Sequence, residues 1–243
     1  PSRGLGDVYK RQMEQKQKEL YHAHAQRLAL MLQNQTEEEF ADSRFQVLSE
    51  LTRLRQLCCD PALVYENYEG GSAKLDLCIE LIQSAVESGH KILLFSQFTS
   101  MIEILTARLQ EESISCFVLQ GSTKKEQRAQ MVEQFNRDDT SVFCISLKAG
   151  GTGLNLTGAD IVIHYDPWWN VAVENQATDR AHRIGQKNVV TVYKLIAKGT
   201  IEEKIIKLQQ MKKELAEEIL SGDEIKTASF QREELLELLE EWF

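Results

Sequence analysis

No stretch of the 243-residue chain approaches the ~20 consecutive apolar residues of a membrane-spanning helix, and no charged start followed by an apolar run reads as a secretion signal. Both absences point to the cytoplasm, with no membrane partner. Five cysteines, at 58, 59, 78, 116 and 144, form no C-x-x-C pair, and most sit beside apolar residues. Reduced core thiols are expected from that pattern, not a disulfide frame. His22 and His24 lack further Cys or His ligands nearby, so no metal centre is expected. A G-x-x-x-x-G-K-[ST] phosphate loop and an Asp-Glu-x-His box are also missing, which excludes a self-sufficient nucleotide hydrolase of that type. A general excess of base is absent too: the formal charge is −9. From residue 201 onward twelve acids face six bases, so the acid is concentrated at the C-terminal end. Phosphate binding depends on a local basic groove, so net charge neither supports nor excludes nucleic acid.

What is present begins with a hydrophobic content of 42%, enough for a full α/β core with a helical arm at each end. From residue 73 helical and extended patterns alternate with hardly a break. Strands are predicted over 91–95, 115–119, 142–146, 161–164 and 189–196, and helices over 75–88, 100–111, 124–135, 171–182 and 201–220. Such alternation marks a parallel sheet wrapped by helices, whose ligand surface lies at the carboxyl ends of the strands.

Three loops fall on that surface. The first is Phe95-Ser96-Gln97-Phe98. The second is Gln120-Gly121-Ser122-Thr123, where helix-end N–H groups favour an anion, although Ser122 or Thr123 with Glu126 equally forms a capping box. Arg128, one turn further on, is a phosphate candidate against the default of a solvated side chain. The third loop runs from Gly150 to Asn155, where Gly151 and Gly153 allow close backbone approach to a ligand or simply a tight turn. Beyond it, QATDRAHRIGQ at 176–186 places Gln176, Arg180 and Arg183 at i, i+4 and i+7. On a helix of ~3.6 residues per turn these share a face and offer two guanidinium forks to one anion. The competing reading is a solvated charged face paired with Glu174 and Asp179.

The run Ser146-Leu147-Lys148-Ala149-Gly150-Gly151-Thr152-Gly153-Leu154-Asn155-Leu156, then Asp166-Pro167-Trp168-Trp169-Asn170, then the arginine stretch, resemble motifs V and VI of the Swi/Snf-like ATPases of superfamily 2. Residues 72–220 carry the likeness closely. It implies a RecA-like second, C-terminal lobe of a DNA-dependent ATPase. On that resemblance Arg180 and Arg183 are arginine fingers on the γ-phosphate, and Gly151, Gly153, Asn155, Gln176 and Asp179 face the nucleotide. Gln97, Gly121, Ser122, Arg128, Lys148 and Trp169 lie toward the DNA backbone. Lys148 stands where the family often has arginine, keeping the charge without the fork. Trp168 and Trp169 otherwise pack against the lobe.

The resemblance also implies what lies elsewhere. ATP with Mg would be held mainly by the first lobe, absent from this sequence, so the isolated chain is expected to be inactive. The partners implied are that missing N-terminal lobe, double-stranded DNA, and a DNA-bound protein such as RNA polymerase, with residence on the nucleoid in a bacterium. An RNA helicase lobe of superfamily 2 is disfavoured by the double tryptophan and by the absence of a Gly-Arg pair between the motif VI arginines. A non-catalytic module that clamps nucleic acid or protein is the alternative from another class.

The flanks divide as follows. Residues 1–12 read as non-native, because Asp7-Val8-Tyr9-Lys10-Arg11-Gln12 is similar to the in-frame translation of a transposon end used as a sequencing adapter; a short native tail is the alternative. Residues 13–70 form a helical inter-lobe segment, with Phe45, Leu48, Leu51, Leu54 and Leu57 as its packing stripe and Pro61 as its stop. The RecA-like domain is expected over 71–220, and a brace helix over 221–243 packs back on it, with a partner-binding helix as the alternative.

Overall fold

The computed structural model describes residues 7–149, 154–181 and 188–218, together with 235, 236 and 239. Two compact units emerge: residues 73–196 with the N-terminal strand, and residues 13–72 with those from 197 onward.

In the first unit, β1 (Asp7–Arg11), β2 (Ile92–Ser96), β3 (Cys116–Leu119), β4 (Val142–Ser146), β5 (Ile161–His164) and β6 (Thr191–Ala197) form one sheet among the described residues, in the order β1-β6-β5-β2-β4-β3. The pairs β3–β4, β4–β2, β2–β5 and β5–β6 are parallel. Every residue of β2, β4 and β5 is buried, as it must be when both faces of a sheet are covered, and their sequences are accordingly unbroken apolar runs. Helices α3 (Ala73–Glu87), α4 (Thr99–Glu111), α5 (Lys125–Arg137) and α6 (Val171–Thr178) supply the cover. The core gathers Leu93, Phe95, Phe135, Phe143, Ile145 and Val162, with Phe143 ringed by Phe117 and Phe135 at 5.8 and 5.2 Å. The α/β, RecA-like expectation is therefore met.

β1 is the strand that sequence reasoning did not anticipate, since it lies in the stretch read as an adapter scar. Backbone groups at an open sheet edge accept any extended peptide, so pairing there makes no demand on sequence. Tyr9 adds one side-chain contact, edge-on to Tyr193 at 5.2 Å.

The second unit is helical. α1 (Gln15–Gln33) and α2 (Glu37–Cys59) form a hairpin, followed by a 3-10 turn at Pro61–Leu63 and, later in the chain, α7 (Ile201–Glu218). The break between α1 and α2 is a reciprocal cap: Glu39 N–H donates to Thr36 Oγ1 at 3.3 Å, and Thr36 N–H donates to Glu39 Oε2 at 2.8 Å. The Thr36 backbone bond, with its hydroxyl second, holds the Glu39 carboxyl below its ordinary value. Pro61 does end the arm as expected, with Asp60 accepting from Ala62 N–H at 2.8 Å.

The packing stripe is only half as expected. Leu51, Leu54 and Leu57 are buried, but Phe45 is 89% exposed and Leu48 48% exposed. At three-residue spacing each step turns roughly 300°, so five such positions sweep about 240° and spiral off any one face. Phe40 and Val47 continue the buried side instead.

Candidate functional site

The chain reverses direction across the sheet at β2, with β4 on one side and β5 on the other, so the carboxyl ends of these three strands border one crevice. Ser96 at the end of β2 donates its hydroxyl to Asp166 Oδ1 at 2.5 Å and accepts from Phe98 N–H at 3.2 Å. Gln97 N–H approaches both Asp166 oxygens at 3.3 and 3.4 Å. Asp166 is 1% exposed and follows β5 by two residues, so it staples the loop after β2 to the loop after β5. The side-chain amide nitrogen of Gln97 is enclosed without a hydrogen-bond partner among the described residues. Leu147 N–H donates to Ser96 O at 2.9 Å, which brings the loop after β4 to the same place. Lys148 projects from that loop into solvent.

The second loop differs from its expectation in one respect. Lys124, not Ser122 or Thr123, is the N-cap of α5, and it makes no side-chain cap bond. Thr123 Oγ1 instead accepts from Gln120 N–H at 3.1 Å, closing the loop on itself one residue early. Gly121 and Ser122 are exposed, and a Cβ on Gly121 would meet nothing within 4 Å. Arg128 does not extend into solvent: Nη1 donates to Ala149 O at 3.2 Å.

The arginine stretch departs most from expectation. α6 begins at Val171, where Asn170 Oδ1 accepts from Ala172 N–H at 2.9 Å, and ends at Thr178 rather than 182. Beyond it Arg180 N–H bonds Ala177 O and Ala181 N–H bonds Thr178 O, both at 3.1 Å. This i to i+3 pattern winds about three residues per turn, so the helical phase that would align Gln176 with Arg180 is lost. Gln176 is exposed, Asp179 is half-buried as the C-cap, and Arg180 is 2% exposed. Gln176 and Arg180 therefore do not share an exposed face. Arg183, Gly151 and Gly153 lie outside the described residues. Asn155 is exposed, its carbonyl accepting from Asn136 Nδ2 at 2.8 Å. Trp168 packs on the sheet core, whereas Trp169 is half-buried beside it in sequence.

Beneath α6 lies a polar group that sequence reasoning missed. Glu174 accepts from Trp168 N–H at 2.7 Å and pairs with Lys194 of β6 at 2.6 Å. Burial works against its ionisation, but the neighbouring His164 and Lys194 and these hydrogen bonds prevail and hold its carboxyl below the ordinary range. His164 of β5 contacts Thr178 Oγ1 through Nε2 at 3.0 Å and stacks on Phe95 at 5.6 Å. Burial pushes its imidazole down to about 4, with Glu174 opposing and Lys194 adding to the shift. A neutral histidine thus supports the last residue of α6, immediately before Arg180. The available signal was a histidine ending an apolar strand run and a glutamate inside an apolar helix segment. Lys74 is another: it is 2% exposed and donates to Tyr165 O at 3.2 Å.

Among the described residues no group of three or more His, Cys, Asp or Glu is placed to hold a metal, and no helix is long and apolar enough to cross a membrane.

Comparison with known proteins bears on this arrangement. Residues 73–185 match the helicase conserved C-terminal domain. The chain is 45% identical over 202 residues to an uncharacterized ATP-dependent helicase of Mycoplasma pneumoniae, covering 82% of this chain and 19% of that protein. It spans about a fifth of the length of such curated relatives, 19% to 20%. Among solved structures, the C-terminal domain of the Sulfolobus solfataricus SWI2/SNF2 ATPase superposes with a TM-score of 0.75 at 30% identity, over 96% of each chain. The core of that ATPase in complex with dsDNA gives 0.73 at 32% identity, covering 88% of this chain and 45% of that one.

Proposed function

Because this chain belongs to the Swi2/Snf2 family of ATPases, as its C-terminal helicase domain, we propose that it is the second lobe of a motor that translocates on double-stranded DNA. The observation that carries the reading is the 96% mutual coverage with an SWI2/SNF2 C-terminal domain, together with the solution of that ATPase's core on dsDNA. In this reading the DNA-facing groups come from three loops, Gln97, Gly121 with Ser122, and Lys148, and from Trp169 in the loop between β5 and α6. Gln97, half-buried at the end of β2, offers its side-chain amide as the polar group there, and exposed Lys148 offers a point charge.

ATP supplies the γ-phosphoryl group that is transferred to water. The arginines suit the charge that spreads over this group, and Arg183 is assigned as the finger that meets it. Arg180, enclosed in the lobe, is assigned a share of that role when the two lobes close. Asn155, Gln176 and Asp179 border the same side in sequence, with Gly151 and Gly153 in the glycine turn. Among the described residues no group of three or more His, Cys, Asp or Glu is placed to hold a metal, and magnesium is assigned with the nucleotide mainly to the first lobe. A DNA-bound protein such as RNA polymerase is the proposed object of remodelling, and a bacterial protein of this kind would reside on the nucleoid.

The test is Arg183→Ala in the complete ATPase. DNA-stimulated turnover is expected to fall roughly a thousandfold or more with ATP and DNA binding retained. Unchanged turnover would refute the finger role and leave a binding module.

A further inference from the structure

We propose that α5 is a fixed post that positions Ala149 in the loop after β4 and the stretch from Asn155 to Gly158 that leads into β5, with Arg128 and Asn136 as its positioning residues, so that Arg128 serves these loops and not the DNA backbone. Only the consequence for turnover rests on the motor reading above.

The post is anchored first at its own C-terminal end. Lys91, at the entry to β2, donates Nζ to the carbonyl of Phe135 and to Asp138 O at 2.7 Å. Phe135 itself is fully buried against Phe143. From this base α5 reaches the chain on both sides of residues 150–153. On the near side Arg128 Nη1 holds Ala149 O at 3.2 Å. On the far side the single amide of Asn136 is used twice: Nδ2 donates to Asn155 O at 2.8 Å, and Oδ1 accepts from Gly158 N–H at 2.9 Å. The backbone approach is close enough that a Cβ on Gly158 would lie 3.0 Å from Asn136 Oδ1 and 3.1 Å from Asn136 Cα. A side chain at 158 would press on α5, which would have to give by a few tenths of an ångström.

The restraint continues toward the arginines. Leu156 N–H donates to Arg180 O at 3.1 Å, so the stretch that Asn136 fixes is bonded directly to the turn carrying Arg180. The same helix starts beside Gly121 and Ser122, and Lys124 and Lys125 are exposed at that start. Helix α5 thus links the loop of Gly121 and Ser122 to Ala149 and to the stretch from Asn155 to Gly158, which Leu156 joins to Arg180. Arg128 is half-buried, with Nε enclosed and without a hydrogen-bond partner among the described residues. A guanidinium committed to a carbonyl in this way is poorly placed for a phosphate, while the exposed lysines remain available.

The two roles separate experimentally because Asn136 carries no charge. In the 243-residue chain, Arg128→Ala and Asn136→Ala are each expected to raise hydrogen exchange over residues 147–149 and 154–159 by about tenfold, without changing the slope of log affinity for duplex DNA against log salt. In the complete ATPase both variants lower DNA-stimulated turnover about tenfold while the DNA concentration for half-maximal stimulation stays put. Unchanged exchange in both variants would overturn the proposal, as would a salt slope reduced by about one for Arg128→Ala alone. Asn136 is exposed, so its truncation keeps the test alive should Arg128→Ala fail to fold. If Arg183→Ala leaves turnover intact, the motor reading fails while the exchange result still decides the positioning role.

Discussion

Both units of this chain bury a glutamate, and they do so in opposite ways. In the sheet unit Glu174 is enclosed under α6 with Lys194 at 2.6 Å, the Trp168 N–H at 2.7 Å and the neutral His164 nearby. In the helical unit Glu50 faces His24, Arg27 and Arg53 at 3.6, 3.8 and 3.1 Å, with the two arginines about half or more exposed. The first carboxylate has exchanged water for fixed partners at short range. The second is paired with two arginines that are about half or more exposed, whose charges solvent and salt screen. The difference follows from position: Glu174 lies on the buried face of α6, the helix that leads to Arg180, and Glu50 lies on the α1–α2 hairpin.

Removing one partner of an enclosed pair strands the other, so Glu174→Ala is expected to lower unfolding stability by about 3 to 5 kcal/mol in urea melts. Glu50→Ala should cost about 1 kcal/mol or less. Equal costs would erase the contrast.

Acid sharpens it further. His164 has a folded value of about 4 against an ordinary 6.5, so between those values the unfolded chain binds the extra proton. Its stabilising share is therefore complete above pH 6.5 and lost as pH falls toward 4, roughly 3 kcal/mol in order of magnitude. The depressed Glu174 carboxyl acts in the same direction, its contribution falling away as pH drops through its folded value. His164→Phe should flatten the acid limb of a stability–pH curve; an unchanged limb would place the acid sensitivity elsewhere.

Smaller effects belong to the helical unit. Thr36→Ala removes the reciprocal cap at the start of α2 and is expected to cost about 1 kcal/mol by thermal melting. Phe45→Ser, on a ring 89% exposed, should change stability by no more than about 0.5 kcal/mol.

The same contrast explains what could be read from the residues. Strands covered on both faces must be continuous apolar runs, and the predicted β2 to β6 fall within a few residues of those observed. A helix hides one stripe, whose phase is easily mistaken: Phe45 and Leu48 counted as core while Phe40 and Val47 did not. The end of α6 was obscured for a related reason. Val171 to His182 contains no glycine or proline to stop a helix, and the tightening after Thr178 reflects tertiary bonds such as Leu156 N–H to Arg180 O. Loops that would bind DNA were legible as glycine and polar breaks at strand ends. The contacts of Arg128 and Asn136 were not, because residues 21 and 19 positions apart meet only through the fold.

On the proposed reading this lobe supplies half of an active site and needs a second lobe to turn over ATP. That dependence is tested most directly by assaying the purified 243-residue chain for ATP hydrolysis with and without duplex DNA. The account expects background turnover in both cases. DNA-stimulated hydrolysis well above background from this chain alone would contradict it.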